Sequence, residues 1–568
     1  MAIARRLYLY VIAGVTLAML IGALITLINL AMEISLGSNA DLVFGGSSQG
    51  ALRGQLSLVL ATIAVALPVW AFHWGVAERS VRAVAAGGAA ERSSAVRALY
   101  LTIVLLALLI ALITSGTQLL RYLLSLALGA APSDELGPIS AAATLAVVGA
   151  FWGYHALVRW RDLRTPMVRA AAWMPRTYRY LATLIGLLIM LYGIVRLIEL
   201  AGDSLGLTGG GLIGGTAVRP SALADVMANI GVGLLVWIGH WAYSIRMLDA
   251  SDWRAPAERE SRTRAGYYVV VLFIGLTVAV SELALALATI LRAVLGAETV
   301  AQRGDVAREI IGSVLIGLVF AGVWWAHRLA MIRERGHMGV DQARSARRVD
   351  AYTVALIAVS SGATALAWLL GLAIDVLGRG QRTLAGSDDW RAQLASFLAL
   401  VIIGSVIWLL DLRQVHAGRT ADEVAESRST ARRAYLLLTI AGSVLAGLSG
   451  LLLILNRFIG SLIGADVQRN LTSELSTPLG VLIVAILLGG LHFWWLRRDQ
   501  RVVAAEAGET AEPAIPVTQE PLGLAVASAE AAVERALVLT VPAGTDVPAA
   551  LERLRAGLPD GYRLEEAD

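Results

Sequence analysis

The sequence predicts an all-α, polytopic membrane protein: twelve transmembrane helices arranged as six parallel helical-hairpin repeats, followed by a small α/β-like cytoplasmic tail. Three observations carry this. Of 568 residues, 57% are hydrophobic and only 16% charged, with a mean hydropathy of +0.69. A soluble protein is about half apolar and about a quarter charged, so there are too few charges here to coat soluble domains. Soluble multidomain, disordered and disulfide-stapled classes are excluded, the last also by the absence of Cys. Secondly, twelve stretches reach the ~20 apolar residues that a spanning helix needs. Thirdly, an aromatic–His phrase returns at a near-constant interval.

The spans fall near 7–32, 57–75, 98–128, 139–158, 178–201, 224–246, 266–295, 309–331, 352–377, 392–412, 433–463 and 478–496. Each is nearly free of charge and bounded by polar or Gly-rich residues. The N-terminal MAIARRLYLYVIAGVTLAML superficially resembles a signal peptide. Its apolar run of about 25 residues exceeds a signal h-region, and it matches later segments, so it reads as an uncleaved first helix.

Within each pair of spans the second helix closes on Trp and His. The phrases are Trp70–His73, Trp152–His155, Trp237–His240 and Trp324–His327. The fifth is Trp408–Asp411, with Asp in place of His, and the sixth is degenerate, His492 preceding Trp494 and Trp495. Five of the seven His occupy this slot, and an Arg follows six residues later at Arg79, Arg161, Arg246, Arg333 and Arg498. The first helix of each pair opens on Arg and then Tyr: Tyr8, Tyr100, Tyr178, Tyr267, Tyr352 and Tyr435. The unit is a helical hairpin of about 84 residues repeated six times, with a weaker period near 170. This divides the chain into four-helix modules at 1–168, 169–340 and 341–501, and an acidic tail at 502–568.

These motifs resemble a bacterial membrane-protein family defined as a domain of unknown function (number 5671). The resemblance covers residues 1–500 as about three tandem copies. It implies a multi-helix membrane module and brings no substrate, activity or catalytic residue. Asp411 and the sixth hairpin depart from the pattern.

Charge sets the topology. All 47 basic residues are Arg; residues 1–501 hold 43 Arg and 31 acids, a balance of +12, and residues 502–568 hold 4 Arg and 12 acids, a balance of −8. Segments joining hairpins are Arg-rich, whereas the loop at 129–138 has no Arg. The positive-inside rule places both termini and the connectors in the cytoplasm, and the expected location is the cell inner membrane. Any pseudosymmetry axis then lies along the membrane normal, unlike the inverted plan of many transporters. The basic balance is a matter of topology and does not imply nucleic-acid binding.

Two sets of residues could carry chemistry. Each His lies near the inner end of its helix, at the depth of a Tyr on its partner helix, so the two come within hydrogen-bond reach in an antiparallel hairpin. As candidate ligand-binding residues we take His73, His155, His240, His327, Asp411 and His492 with Trp70, Trp152, Trp237, Trp324 and Trp408. Such a layer can be an interfacial girdle. Alternatively it converges on a lipid headgroup, a quinone or a metal, haem b included. The second set is charge at membrane depth: Glu282, Arg121, Arg196 and Glu199. Charge there usually faces protein or water and finds a partner, and pairing Glu282 with Arg196 or Arg121 makes electrostatic sense. The pattern Gly209-x-Gly211-x-x-Gly214 sits in a loop with no strand before it and is discounted as a dinucleotide site. Neither a Walker A nor a hydrolase motif occurs. In the tail, Ala536–Val541 reads as a strand followed by a helix capped by Asp546; it could meet the basic face, a soluble protein or a second copy. The expectation is a membrane scaffold or ligand- and lipid-binding module. A channel or transporter using buried Glu and Arg and a haem b electron carrier remain alternatives, and an enzyme is the weakest of the classes.

Overall fold

A computed structural model describes residues 2–35, 48–82, 86–130, 137–164, 173–204, 219–249, 254–297, 306–335, 339–379, 389–462 and 471–509. Among them α-helix is the only regular element. The helices are α1 (Ala2–Ser35), α2 (Ser48–Arg82), α3 (Ala86–Arg92), α4 (Ala95–Ala127), α5 (Gly137–Asp162), α6 (Trp173–Ser204), α7 (Pro220–Leu248), α8 (Arg254–Arg259), α9 (Arg262–Val294), α10 (Val306–Arg335), α11 (Val340–Arg379), α12 (Asp389–Ala421), α13 (Glu423–Ser427), α14 (Thr430–Leu462) and α15 (Leu471–Glu509). Twelve of them are long and apolar enough to cross a membrane, and these are the twelve expected from the sequence. The chain is thus a multi-pass membrane protein. The expected strand and helix of the tail lie outside the described residues, as does the Gly209–Gly214 pattern.

Local chemistry sets the helix ends. Pro220 opens α7, where its missing N–H is no loss. Ser261 and Asp422 cap α9 and α13 by accepting from Arg264 N and Ala425 N. Helices α4 and α9 close alike: Gly129 and Gly296 take φ of +75° and +67°. Ala130 N then donates to Ser125 O and Ala297 N to Arg292 O, satisfying carbonyls the helix leaves open.

Helices pack most extensively as α1 with α2, α4 with α5, α6 with α7, α9 with α10, α11 with α12 and α14 with α15, and α11 packs equally on α15. Cores are built within groups of five. Tyr10, Leu17, Trp74, Leu101, Leu108 and Val148 bury together in α1–α5, and Tyr180, Leu187, Tyr267, Leu272 and Phe320 in α6–α10. Two further clusters join the groups. Leu105, Leu109, Tyr178 and Ala182 pack where α4 meets α6 and α7, and Leu276, Val280 and Ile357 where α9 meets α11 and α12. Some helix pairs approach so closely that only Gly fits. A Cβ at Gly233 of α7 would lie 2.4 Å from Met190 N of α6, and one at Gly480 of α15 2.2 Å from Ala367 O of α11. Large apolar side chains such as Leu235, Leu445 and Leu452 are exposed along the outer helix faces, as a lipid solvent permits.

Candidate functional site

In five of the six hairpins the Tyr and the His come within hydrogen-bond reach. Tyr8 faces His73 with the hydroxyl 3.3 Å from Nε2; the same contact is 3.4 Å for Tyr100–His155, 3.3 Å for Tyr178–His240, 3.1 Å for Tyr267–His327 and 2.9 Å for Tyr435–His492. The other ring nitrogen, Nδ1, lies 2.8–2.9 Å from the carbonyl one turn back: Val69, Phe151, Val236, Val323 and Leu488. A carbonyl only accepts, so Nδ1 carries the proton and donates; Nε2 is then the acceptor and the Tyr hydroxyl the donor. Both nitrogens are engaged in all five rings. A metal at Nε2 would have to displace the Tyr, and no group of three or more His, Asp or Glu among the described residues is arranged to hold a metal ion.

The Trp residues tie one hairpin to the next. Trp152 Nε1 donates to Tyr178 OH at 3.1 Å, so Tyr178 links α5 to His240 of α7. Trp70 and Trp237 make the corresponding approach to Tyr100 and Tyr267 without reaching hydrogen-bond geometry. Trp324 instead covers the Arg328 guanidinium at 5.2 Å. Asp411 and Trp408 stand in α12, and their side chains lie outside the described residues.

Beside the His layer lies a set of buried ion pairs that the sequence reading passed over. Arg97 is fully buried. Its Nε donates to Asp162 at 2.6 Å, Nη2 to Glu78 at 2.6 Å and Nη1 to Tyr10 OH at 3.1 Å. Tyr10 in turn donates to Glu91 at 2.9 Å, which also holds Arg6 at 2.6 Å. The circuit recurs in α6–α10: Arg264 binds Glu334 and Tyr180, and Tyr180 donates to Glu258, which also pairs with Arg176 and Arg179. It recurs again in α11–α15: Arg432 binds Asp499 at 2.5 Å and Tyr352 at 3.1 Å, and Tyr352 and Arg348 each reach Glu426 at 2.7 Å. Burial pushes the Glu258 carboxyl up, but the adjoining Arg179, Tyr180 and Arg176 outweigh it and hold the group below the usual carboxylate range.

A sequence signal for these knots exists. Glu-x-x-Ser-x-x-Arg-x-x-Tyr occurs at Glu91–Tyr100, Glu258–Tyr267 and Glu426–Tyr435, spaced by 167 and 168 residues. The Glu ends a short helix, α3, α8 or α13, and the Arg opens the next long one. The acids Asp162, Glu334 and Asp499 each follow a His by seven residues, next to the Arg at six.

The deep charges fall differently from expectation. Arg196 pairs with Glu199 one turn along α6, and Arg121 with Asp225 of α7 at 3.9 Å. Neither reaches Glu282, because each has a closer carboxylate. Arg121, Arg196 and Glu199 are not buried either: their side chains are 54%, 56% and 43% exposed. Glu282 is half-buried against Gly317 of α10, with no hydrogen-bond or ion-pair partner among the described residues. In hairpin five, Asp350 takes the register of Tyr8 and Tyr178 and pairs with Arg328 at 3.0 Å.

The model of the family described as a domain of unknown function (DUF5671) matches residues 6–151, 176–318 and 348–487. The chain belongs to this family and carries three tandem copies of it, which correspond to α1–α5, α6–α10 and α11–α15. Neither the comparison with curated proteins nor that with solved structures gives a match.

Proposed function

We propose that this DUF5671 chain is a membrane scaffold, and that its His–Tyr–Trp layer and Arg–acid–Tyr knots lock six helical hairpins together at the cytoplasmic boundary of the inner membrane. The observation that supports this best is the engagement of both nitrogens in each of the five described His rings. A ligand layer would leave Nε2 lone pairs open, whereas a lock uses them. The Arg-rich segments between hairpins favour the cytoplasmic placement of this end and of both termini. Three tandem copies of one helical module fit a role in binding and organising other components.

Native mass spectrometry of the detergent-purified protein, with an absorption spectrum, tests the reading. The wild type is expected to fly with lipids alone and without a Soret band. A variant with His155, His327 and His492 changed to Phe should retain the same small molecules and unfold at lower temperature. A chromophore or small molecule held by the wild type and lost in the variant would overturn the lock in favour of a ligand site.

A further inference from the structure

At the opposite end of the bundle, where copy one meets copy two, a cavity of about 260 Å³ opens between α4, α6 and α7. Its polar lining is Thr114, Thr117, Gln118, Arg121, Asp225 and Asn229. The junction between copies two and three provides an internal control, since α9 meets α11 and α12 there as α4 meets α6 and α7. The register is fixed at both ends of the helix, Arg97 and Gly129 matching Arg264 and Gly296, and Gly233 of α7 matches Gly404 of α12. Carried across, Thr114, Thr117, Gln118 and Arg121 become Ser281, Ala284, Leu285 and Ala288, and Asp225 and Asn229 become Ser396 and Leu400. The same helix crossing is therefore made without either charge or either amide. The fold does not require them, so the polar set lining this one cavity is free to serve as a binding site.

The depth and chemistry of the cavity indicate its occupant. Helix α4 has 33 residues, about 50 Å, against a hydrocarbon core of about 30 Å. Arg121 and Asp225 each lie within about 9 Å of their helix ends, at the level of the lipid headgroups. Their charged atoms are 3.9 Å apart, an ion pair beyond hydrogen-bond length, and both side chains are about half-exposed and open to a further polar partner. Asn229 Nδ2 already donates to Asp225 O at 2.8 Å, which leaves its Oδ1 as an acceptor. A simple anion would face the Asp225 carboxylate, and a simple cation the Arg121 guanidinium. A zwitterion with an ammonium and an oxyanion on a short linker satisfies both.

We propose that this pocket binds the headgroup of phosphatidylethanolamine, with the phosphate on Arg121 and the ammonium on Asp225 and the amide oxygens of Gln118 and Asn229. Choline headgroups have the same charges but no N–H to donate, so they are discriminated against. The site lies away from the His layer and goes beyond the lock proposed above; either can fail alone.

The test is native mass spectrometry of the full chain from nanodiscs of equimolar phosphatidylethanolamine, phosphatidylcholine and phosphatidylglycerol. Wild-type protein should retain the ethanolamine lipid about tenfold over the choline lipid, the effect of one charge-assisted hydrogen bond. The double variant Arg121→Ala with Asp225→Ser should bring the two to parity. Because the junction of copies two and three carries Ala288 and Ser396 at these positions, the variant should keep the wild-type unfolding temperature. Equal retention of ethanolamine and choline lipids by the wild type, preference for phosphatidylglycerol, or an unchanged pattern in the variant would each overturn the proposal. Displacement of the lipid by soluble O-phosphoethanolamine at equal concentration would overturn the lipid as its source.

Discussion

The two hairpins inside each family copy look alike in sequence and differ in their anchoring. In the second hairpin the His is buried, 0% exposed at His155, 5% at His327 and 1% at His492, and an acid seven residues on grips the buried Arg97, Arg264 or Arg432. In the first hairpin His73 and His240 are only half-buried, and the residue seven on is Ser80 or Met247. The Tyr–His contact is thus made in five of the six hairpins, and the ionic knot in three. The aromatic phrase fits any hairpin that ends at a membrane boundary. The ionic knot needs four helices at once, and it is what turns pairs of hairpins into units.

Breaking a knot should have the largest effect. Arg264→Leu leaves Glu334 buried without its cation and should cost about 3–5 kcal/mol, whereas Arg264→Met combined with Glu334→Leu should cost much less. Thermal unfolding followed by Trp fluorescence in detergent measures both, and equal losses would show that the pair is not the anchor. Next in size is the contrast between hairpins. His155→Ala should cost about 2–3 kcal/mol through two lost hydrogen bonds and a cavity, and His73→Ala under about 1 kcal/mol. A comparable loss at both positions would erase the distinction.

The smallest effect is in the acid limb. Glu258 is 4% exposed and has a carboxyl held below the ordinary range, the outcome of burial, which raises it, and the stronger opposing pull of Arg179, Tyr180 and Arg176. Its contribution is therefore complete above about pH 4.3, the unfolded value, and is lost as pH falls through the lower folded value. Unfolding temperatures measured between about pH 3 and pH 6 should converge for wild type and Glu258→Gln at the acid end and separate above it. Parallel curves would show that this carboxylate is not part of the knot's pH response.

Much of the architecture was legible because apolar length and the Trp–His phrase are local. A run of 20 apolar residues has one physical outcome in lipid, and His240 with Tyr178 at matched depth could be placed within reach of each other from hairpin geometry alone. The knots were less legible. Glu91, Glu258 and Glu426 lie in connectors that read as loops, and their signal appears only when the period is taken as 167–168 residues, about twice the hairpin. The partners of the deep charges were not legible at all. Glu199 competes for Arg196 simply by lying one turn away on α6, and Asp225 reaches Arg121 only because α4 packs on α7 of the next copy.

By itself, then, the sequence determined the membrane class, the twelve spans, the family and the His–Tyr register, since each follows from hydrophobicity or from spacing along one or two adjacent helices. Only the tertiary structure decided which carboxylate each Arg holds, which His are sealed, and that a polar pocket opens where copy one meets copy two. Those outcomes depend on which helices, remote in the chain, come within a few ångströms, and a desolvated charge settles on whichever partner is nearest in space.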